Sequence, residues 1–350
     1  MKKILLILLA LPLLGISWLL IDQYVLCPAE EFPASKPFSG KNIYNPYQHI
    51  DSSDITVANF HAHTNAWKGL TNGKGNGADV WRRYDSLAYT FHAVSQYFNI
   101  DTFNQHHINY IPVYEHGVNL KKTHQLVIGA NKVQWKDYIF PQTILNKQHI
   151  INKIAEDPTV LIALNHPGML NGYTKEDFAQ LYNYDFIEVL NPQAQSFPAW
   201  DAALSSGHPV FALANDDVHD VFENKLLGRF YNIVFATKSN RYGLMTSLKE
   251  GNYFTVWAPE SNENFKEKRI QIESIKNILS SVVVHDDLFE IRFSNVIDTV
   301  RMIGQYGKLI DQQTSKTAIS HRFLPVDTYV RIELIHKNGT RVYLNPFFRY

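Results

Sequence analysis

The sequence predicts an α/β fold with alternating strands and helices, preceded by an apolar helix and followed by an antiparallel β region. Three observations lead there. Short apolar runs and amphipathic stretches alternate from Ile55 to about Lys249. After about Phe265 only strand-like runs remain. At the N-terminus an uncharged run, Ile4 to Ile21, stands behind Lys2 and Lys3. The 350-residue chain is long enough to bury a sizeable core and to hold two domains.

Taken in order, residues 1–27 read as a membrane anchor or a signal segment. A helix from Ile4 to Ile21 would reach roughly 27 Å, close to the hydrocarbon thickness of a bilayer. The flanking lysines favour the cytoplasmic side, so the remainder is expected outside the cytoplasmic membrane. No small-residue cleavage pattern follows the run, where Tyr24, Val25 and Leu26 stand. Residues 28–54, rich in Pro, Ser, Asn and Tyr, read as a linker.

The region 55–264 carries the α/β rhythm. Ile55–His63, Phe91–Ser95, Ile111–Tyr114, Gln125–Ile128, Val160–Leu164, Phe186–Leu190 and Val210–Ala214 are short apolar runs expected as strands. Val80–Tyr89, Ile144–Ala155, Ala199–Leu204 and Tyr242–Lys249 have helical spacing, and Gly251 is placed to end the last of them. Thr174 with Asp177 resembles a capping box. Such alternation implies βαβ units and a parallel sheet or barrel. The region 265–350 reads as a small antiparallel β domain, with Asn338-Gly339 as a two-residue hairpin signal.

Composition narrows the function. Lys and Arg number 33 against 33 Asp and Glu, with no long basic run, which argues against nucleic acid as an obligate partner. With Cys27 alone, neither an intramolecular disulfide nor a thiolate zinc site is possible. Any metal must be held by nitrogen and oxygen, which suits zinc, manganese or iron. Histidine is abundant, at 15 residues, most of them between His61 and His219. The six tryptophans read as core and interface packing.

Four strand ends carry ligand-type residues. His61 and His63 alternate on one strand face, roughly 6.5 Å apart. Glu115 ends an apolar strand, where a carboxylate is costly to bury without a cation or hydrogen bonds; His124 follows. Leu161–Leu164 runs into Asn165-His166-Pro167-Gly168. Phe211–Ala214 runs into Asn215-Asp216-Asp217-Val218-His219-Asp220. Each motif alone also reads as a polar turn. Together they place their ligands at one end of the strands, where α/β folds assemble sites. A divalent ion there would polarise a phosphoryl or carbonyl oxygen and acidify bound water. Glu188 lies near the same rim, as a supporting group or a turn residue. Lys121, Lys122 and Arg229 could meet phosphate oxygens but are assigned no role.

His61-x-His63, Glu115 with His124, His166-Pro167 and Asp217-x-His219, in this order from about Val57 to His219, resemble the polymerase-and-histidinol-phosphatase (PHP) superfamily of metal-dependent phosphoesterases. The anchor and β-rich C-terminal region resemble those of its extracytoplasmic members. The resemblance implies a distorted seven-stranded (β/α) barrel with two or three divalent ions at its mouth; for this chain one to three are expected. His61, His63, Glu115, His124, His166, Asp217 and His219 would be ligands, Glu115 bridging, and Glu115, Asp217 and His166 the catalytic groups. Metal-bound hydroxide would attack a small-molecule or cell-envelope phosphoester. Two positions depart from the family pattern. Tyr97 stands where a ligand histidine is often found, with His106 and His107 as substitutes, and no acidic residue occurs from Trp67 to Asn76. A related hydrolase of C–O or C–N bonds, and a cell-envelope binding protein with a reduced site, are the alternatives.

Overall fold

The computed structural model describes residues 2–50, 54–236, 240–261 and 264–350, with side chains from Ala10 on. It is a mixed α/β structure with several sheets and, among the described residues, six α-helices. One sheet is built from Val113–His116, Gln125–Ile128, Leu161–Leu164, Phe186–Asn191 and Phe211–Ala214, with Ala194–Gln195 at its edge. Its first two pairings are antiparallel. The pairings of Phe186–Asn191 with Leu161–Leu164 and with Phe211–Ala214 are parallel. Apart from that edge strand, these runs are buried throughout, the pattern expected of strands covered on both faces.

The larger sheet starts where Asp54–Asn59 pairs in parallel with Phe91–His92. Phe230–Ala236 and Tyr253–Trp257 follow, antiparallel. Tyr253–Trp257 then pairs with Arg341–Arg349, which carries the sheet on to Tyr329–Ile335, Leu288–Gly304 and Leu279–His285. The antiparallel C-terminal strands therefore extend the sheet that begins at Asp54.

The expected ring of seven strands does not close as one barrel. Phe211–Ala214 makes no ladder with Phe230–Ala236 among the described residues; the Asn232 carboxamide bridges them. Its oxygen accepts from Ala214 N at 3.1 Å, and its nitrogen donates to Ala214 O at 2.7 Å and Ala58 O at 3.2 Å. On the other side a single bridge, Tyr97 with Glu115, links the edges. Side-chain amides satisfy the backbone groups that a closed ladder would have used.

Local sequence explains most helices. Ile144–Ala155 begins at Thr143, whose hydroxyl accepts from Asn146 N while Asn146 returns to Thr143 N. Arg241–Lys249 ends two residues before Gly251, whose φ is +68° and whose absent side chain leaves room for the Phe211 ring. The Thr174–Asp177 pair forms reciprocally but opens only a short 3-10 turn, Asp177–Ala179. Phe265–Lys276 is a helix where strands alone were expected. Asn264 caps it by accepting from Glu267 N, and Ile272 and Ile275 are buried under the large sheet, each worth about 1.5–3 kcal/mol. The hairpin at Asn338-Gly339 is also longer than two residues: Ile335 pairs with Arg341, leaving five between them.

Lys2–Tyr24 is a helix, but among the described residues no helix is long and apolar enough to cross a membrane. The side chains of Lys2 and Lys3 lie outside the described residues. Its last turn is tied to the fold: Asp22 pairs with Lys136, and Gln23 bonds Phe140 in both directions. The stretch 28–50 is mostly exposed up to Asn42 and is held to the fold at particular residues. Phe38 stacks on Phe348 at 4.5 Å, and Tyr47 is fully buried with its hydroxyl on Tyr253 O. The end of the expected linker, 51–53, lies outside the described residues, as do 262–263 beside the expected boundary.

Candidate metal centre

Each ligand position lies in or beside a strand whose register places it. Asp54–Asn59 stops two residues before His61, earlier than expected, and the Asn59 carboxamide steers the exit by accepting from His61 N at 3.1 Å. The chain then runs beside 217–219: Ala62 bridges Val218, and His63 N donates to Val218 O at 2.8 Å. That brings His61 and His63 to Asp217 and His219. Antiparallel pairing sets Glu115 opposite Leu126, with His124 two residues back, and His124 Nδ1 lies 2.9 Å from Glu115 Oε1. His166 comes off Leu161–Leu164 with Nε2 at 3.3 Å from the same oxygen. His166 and Asp217 hold positive φ, at 27° and 44°, a conformation that costs about 1–3 kcal/mol and concentrates at functional positions.

The donor atoms converge. His61 Nε2 is 3.1 Å from His63 Nε2, 3.2 Å from Asp217 Oδ1 and 3.4 Å from Glu115 Oε1. His63 Nε2 is 3.3 Å from both Glu115 Oε2 and Asp217 Oδ1. Ligands around an ion with bonds of about 2.1 Å are themselves roughly 3.0–3.4 Å apart. Glu115 Oε2, Asp217 Oδ1, His63 Nδ1, His124 Nε2 and His166 Nδ1 are buried without a hydrogen-bond partner among the described residues. Buried acceptors left in this way are costly, and a cation would satisfy the two carboxylates. Four groups of three could hold an ion: His61, His63 and Glu115; His61, His166 and Asp217; His63, Asp217 and His219; and Glu115, His124 and His166. The residues fit nitrogen–oxygen ligation.

Electrostatics agree. Burial works to lower the His61 pKa, but Asp217, Glu188 and Glu115 outweigh it and hold it well above the ordinary imidazole value. His63 and His166 are raised against burial by Asp217 and Glu115. Burial works to raise the Glu115 and Asp217 carboxyls, yet the histidines hold both well below the usual carboxylate range. Burial lowers His124 and His219. The carboxylates are thus ionised and draw compensating protons onto imidazoles, which a metal ion would displace.

Glu188 is fully buried and its four lone-pair positions are filled. Oε1 accepts from His61 Nδ1 and Asn215 Nδ2, both at 2.9 Å, and Oε2 from His166 N at 3.0 Å and Asn191 Nδ2 at 2.9 Å. It therefore fixes the His61 tautomer with Nε2 turned to the cluster. Asn165 donates to Glu115 Oε1 and Asn191 to Asp217 Oδ2. Sequence reading passed over these asparagines, although Asn59, Asn165, Asn191 and Asn215 each end or directly follow a strand.

His124, His166, Asp217 and His219 of the cluster form the floor of a cleft of about 950 Å³, with His61, His63 and Glu115 buried beneath. Tyr97 enters it and stacks on His63 at 4.9 Å. His106 and His107, the alternative substitutes, are exposed, and His107 packs on Trp81. Lys122 lines the cleft 5.9 Å above the Tyr97 ring. Asp216, next to the cluster, faces away: its oxygens accept from Gly228, Arg229 and Phe230 N–H groups and the Tyr84 hydroxyl.

No protein-family model and no curated protein matches the chain. Among solved structures, it is similar to a two-domain protein from Bacteroides vulgatus ATCC 8482 described as containing a predicted PHP-like metal-dependent phosphoesterase. The two share 12% identity over 91% of this chain and 100% of that one, with a TM-score of 0.46.

Proposed function

We propose that the chain is a metal-dependent hydrolase acting on phosphoesters. The observation that carries this is the convergence of His61, His63, Glu115 and Asp217, with donor atoms 3.1–3.4 Å apart and an unpartnered oxygen on each carboxylate. Glu115 also reaches His124 and His166, so a second ion beside the first would share its carboxylate. Zinc, manganese or iron suits the donor set. Bound there, such an ion supplies Lewis acidity toward a phosphoryl oxygen and toward water.

The chain's own groups do the rest. Glu188 and Asn215 hold His61 in one tautomer, and Asn191 and Asn165 orient the two carboxylates. Lys122 reaches the cleft from its rim, where a phosphoryl oxygen needs a cation. His166 lines the cleft, and its Nδ1 is buried with no hydrogen-bond partner among the described residues. Were the uncharged N-terminal run to meet a membrane, the lysines ahead of it would favour an extracytoplasmic site.

The test is metal content by elemental mass spectrometry on the full chain and on Asp217→Ala, followed by a phosphoester screen of the loaded protein. One or more transition-metal ions per chain, reduced in the variant, with phosphate released, is the expected result. A protein that takes up no ion after reloading would sink the reading. Turnover of carboxamides or glycosides alone would replace the phosphoester.

A further inference from the structure

The cleft has a second surface above its ionic floor. Trp67, Leu70, Val118 and Trp135 line it while remaining 47%, 90%, 62% and 63% exposed. Sequence reading assigns the tryptophans to packing, yet these two face solvent at the mouth of the site. They are also held in place. Trp67 Nε1 donates to Tyr97 O at 2.7 Å, its ring meets Trp135 edge-on at 6.2 Å, and Trp135 stacks on Phe98 at 5.6 Å. Exposed apolar side chains gathered at a cleft are a recognition surface rather than the scattered apolar residues of an ordinary exterior. The wall presents ring faces and methyl groups, with the Trp67 donor already used.

The same lip adjoins the N-terminal helix. Lys136, next to Trp135, pairs with Asp22, and Phe140 bonds Gln23. From there back toward its start the helix exposes Leu20, Trp18, Leu14 and Leu11. Two apolar surfaces thus leave the fold from neighbouring positions, one of them opening onto the ionic floor.

From this juxtaposition we infer that the substrate is amphiphilic: a phosphoester head for the floor, joined to an alkyl tail several carbons long that lies along Trp67, Leu70, Val118 and Trp135. This rests on the hydrolase reading for the head and on the wall for the tail. A nucleotide or a sugar phosphate would bring hydroxyls and ring nitrogens to the apolar faces of Trp67, Leu70, Val118 and Trp135, where Thr71 and Asn72 are the neighbouring polar groups. Leu70 and Val118 suit a chain where a stacked base would need a second flat surface.

Two homologous series test it on the metal-loaded full chain: alkyl phosphates and 4-nitrophenyl alkyl phosphodiesters, methyl to octyl. Alkylphosphonates of the same lengths, followed by tryptophan fluorescence, report binding without turnover. The expected result is phosphonate affinity rising roughly two- to fourfold per methylene until the wall is covered. The octyl-to-methyl ratio of kcat/KM should be about tenfold or more in the series that turns over, and should fall toward one in Leu70→Ser and Trp135→Ala. Methyl and octyl members handled alike would overturn the tail site and leave the hydrolase reading intact. So would a nucleoside monophosphate bound more tightly than an alkylphosphonate of equal size. Length-dependent phosphonate binding with no turnover of either series would sink the hydrolase reading and keep the apolar wall.

Discussion

Asp201 and Arg331 join the helix Phe197–Ser205 to the C-terminal sheet through two 2.8 Å contacts, Nε to Oδ1 and Nη2 to Oδ2. Tyr329 adds its hydroxyl to Asp201, and Glu333 takes Arg331 Nη1. Every charge there has a partner of opposite sign within the chain, and the guanidinium is shielded further by the Trp200 and Phe197 rings. Glu115 and Asp217 are comparably buried, yet each keeps an oxygen with no hydrogen-bond partner among the described residues, and the nitrogens around them converge on one another. Burial of charge is common to both clusters. Closure distinguishes them: the first is complete as folded, whereas the second has acceptors to spare, as a site for a cation must.

Breaking each cluster should therefore have opposite consequences. Glu115→Ala removes the carboxylate shared by both sides of the site. Hydrolytic activity should fall roughly a thousandfold, with bound metal reduced and far-UV circular dichroism unchanged. An unaltered metal content would place the ion elsewhere. Arg331→Ala leaves Asp201 buried and unpaired, so denaturant unfolding should show a loss of about 3–5 kcal/mol. Its metal content per folded chain should match the parent; a loss of metal there would erase the distinction between the two clusters.

Glu188→Gln sharpens the contrast within the site. It replaces one of two acceptor oxygens, each of which takes two donors, with a donor, misaligning His61, His166 or Asn191. Metal affinity, measured by competition with a chelator, should weaken about 10- to 100-fold. Unchanged affinity would reduce Glu188 to a turn residue. The smallest expected effect concerns Asp185, at the junction of Leu161–Leu164 and Phe186–Asn191. Burial pushes its carboxyl up to about 6, against the Ile162 N–H that favours its ionised form. A raised folded-state pKa means that its favourable contribution is full below about pH 4 and is lost as pH rises through about 6. Asp185→Asn keeps an acceptor for Ile162 and should flatten that part of the stability–pH curve. A gain of about 1–2 kcal/mol at neutral pH is expected, and an unchanged curve would exclude this group as its source.

What the sequence determined alone was local. Apolar runs such as Gln125–Ile128 and Leu161–Leu164 become strands within a residue or so of their expected limits, because burial on both faces follows from composition over four or five positions. The positions at which ligand-type residues leave those strands are fixed by the same local order. Phe265–Lys276 was also written locally, in the Asn264–Glu267 cap and the Lys268, Ile272, Ile275 spacing, but its many charged neighbours masked it. Only the tertiary structure decided which strand ends meet. The strands beyond Leu279 continue the sheet of Asp54–Asn59 because Arg341–Arg349 docks on Tyr253–Trp257, a pairing across more than eighty residues that periodicity does not specify. Glu188, ambiguous as a residue near a strand end, acquires a role only when His61, His166, Asn191 and Asn215 arrive around it. Trp67 and Trp135 leave the expected core because Tyr97 O and Phe98 hold them at the lip. In each case the deciding energy is a contact between groups far apart in sequence.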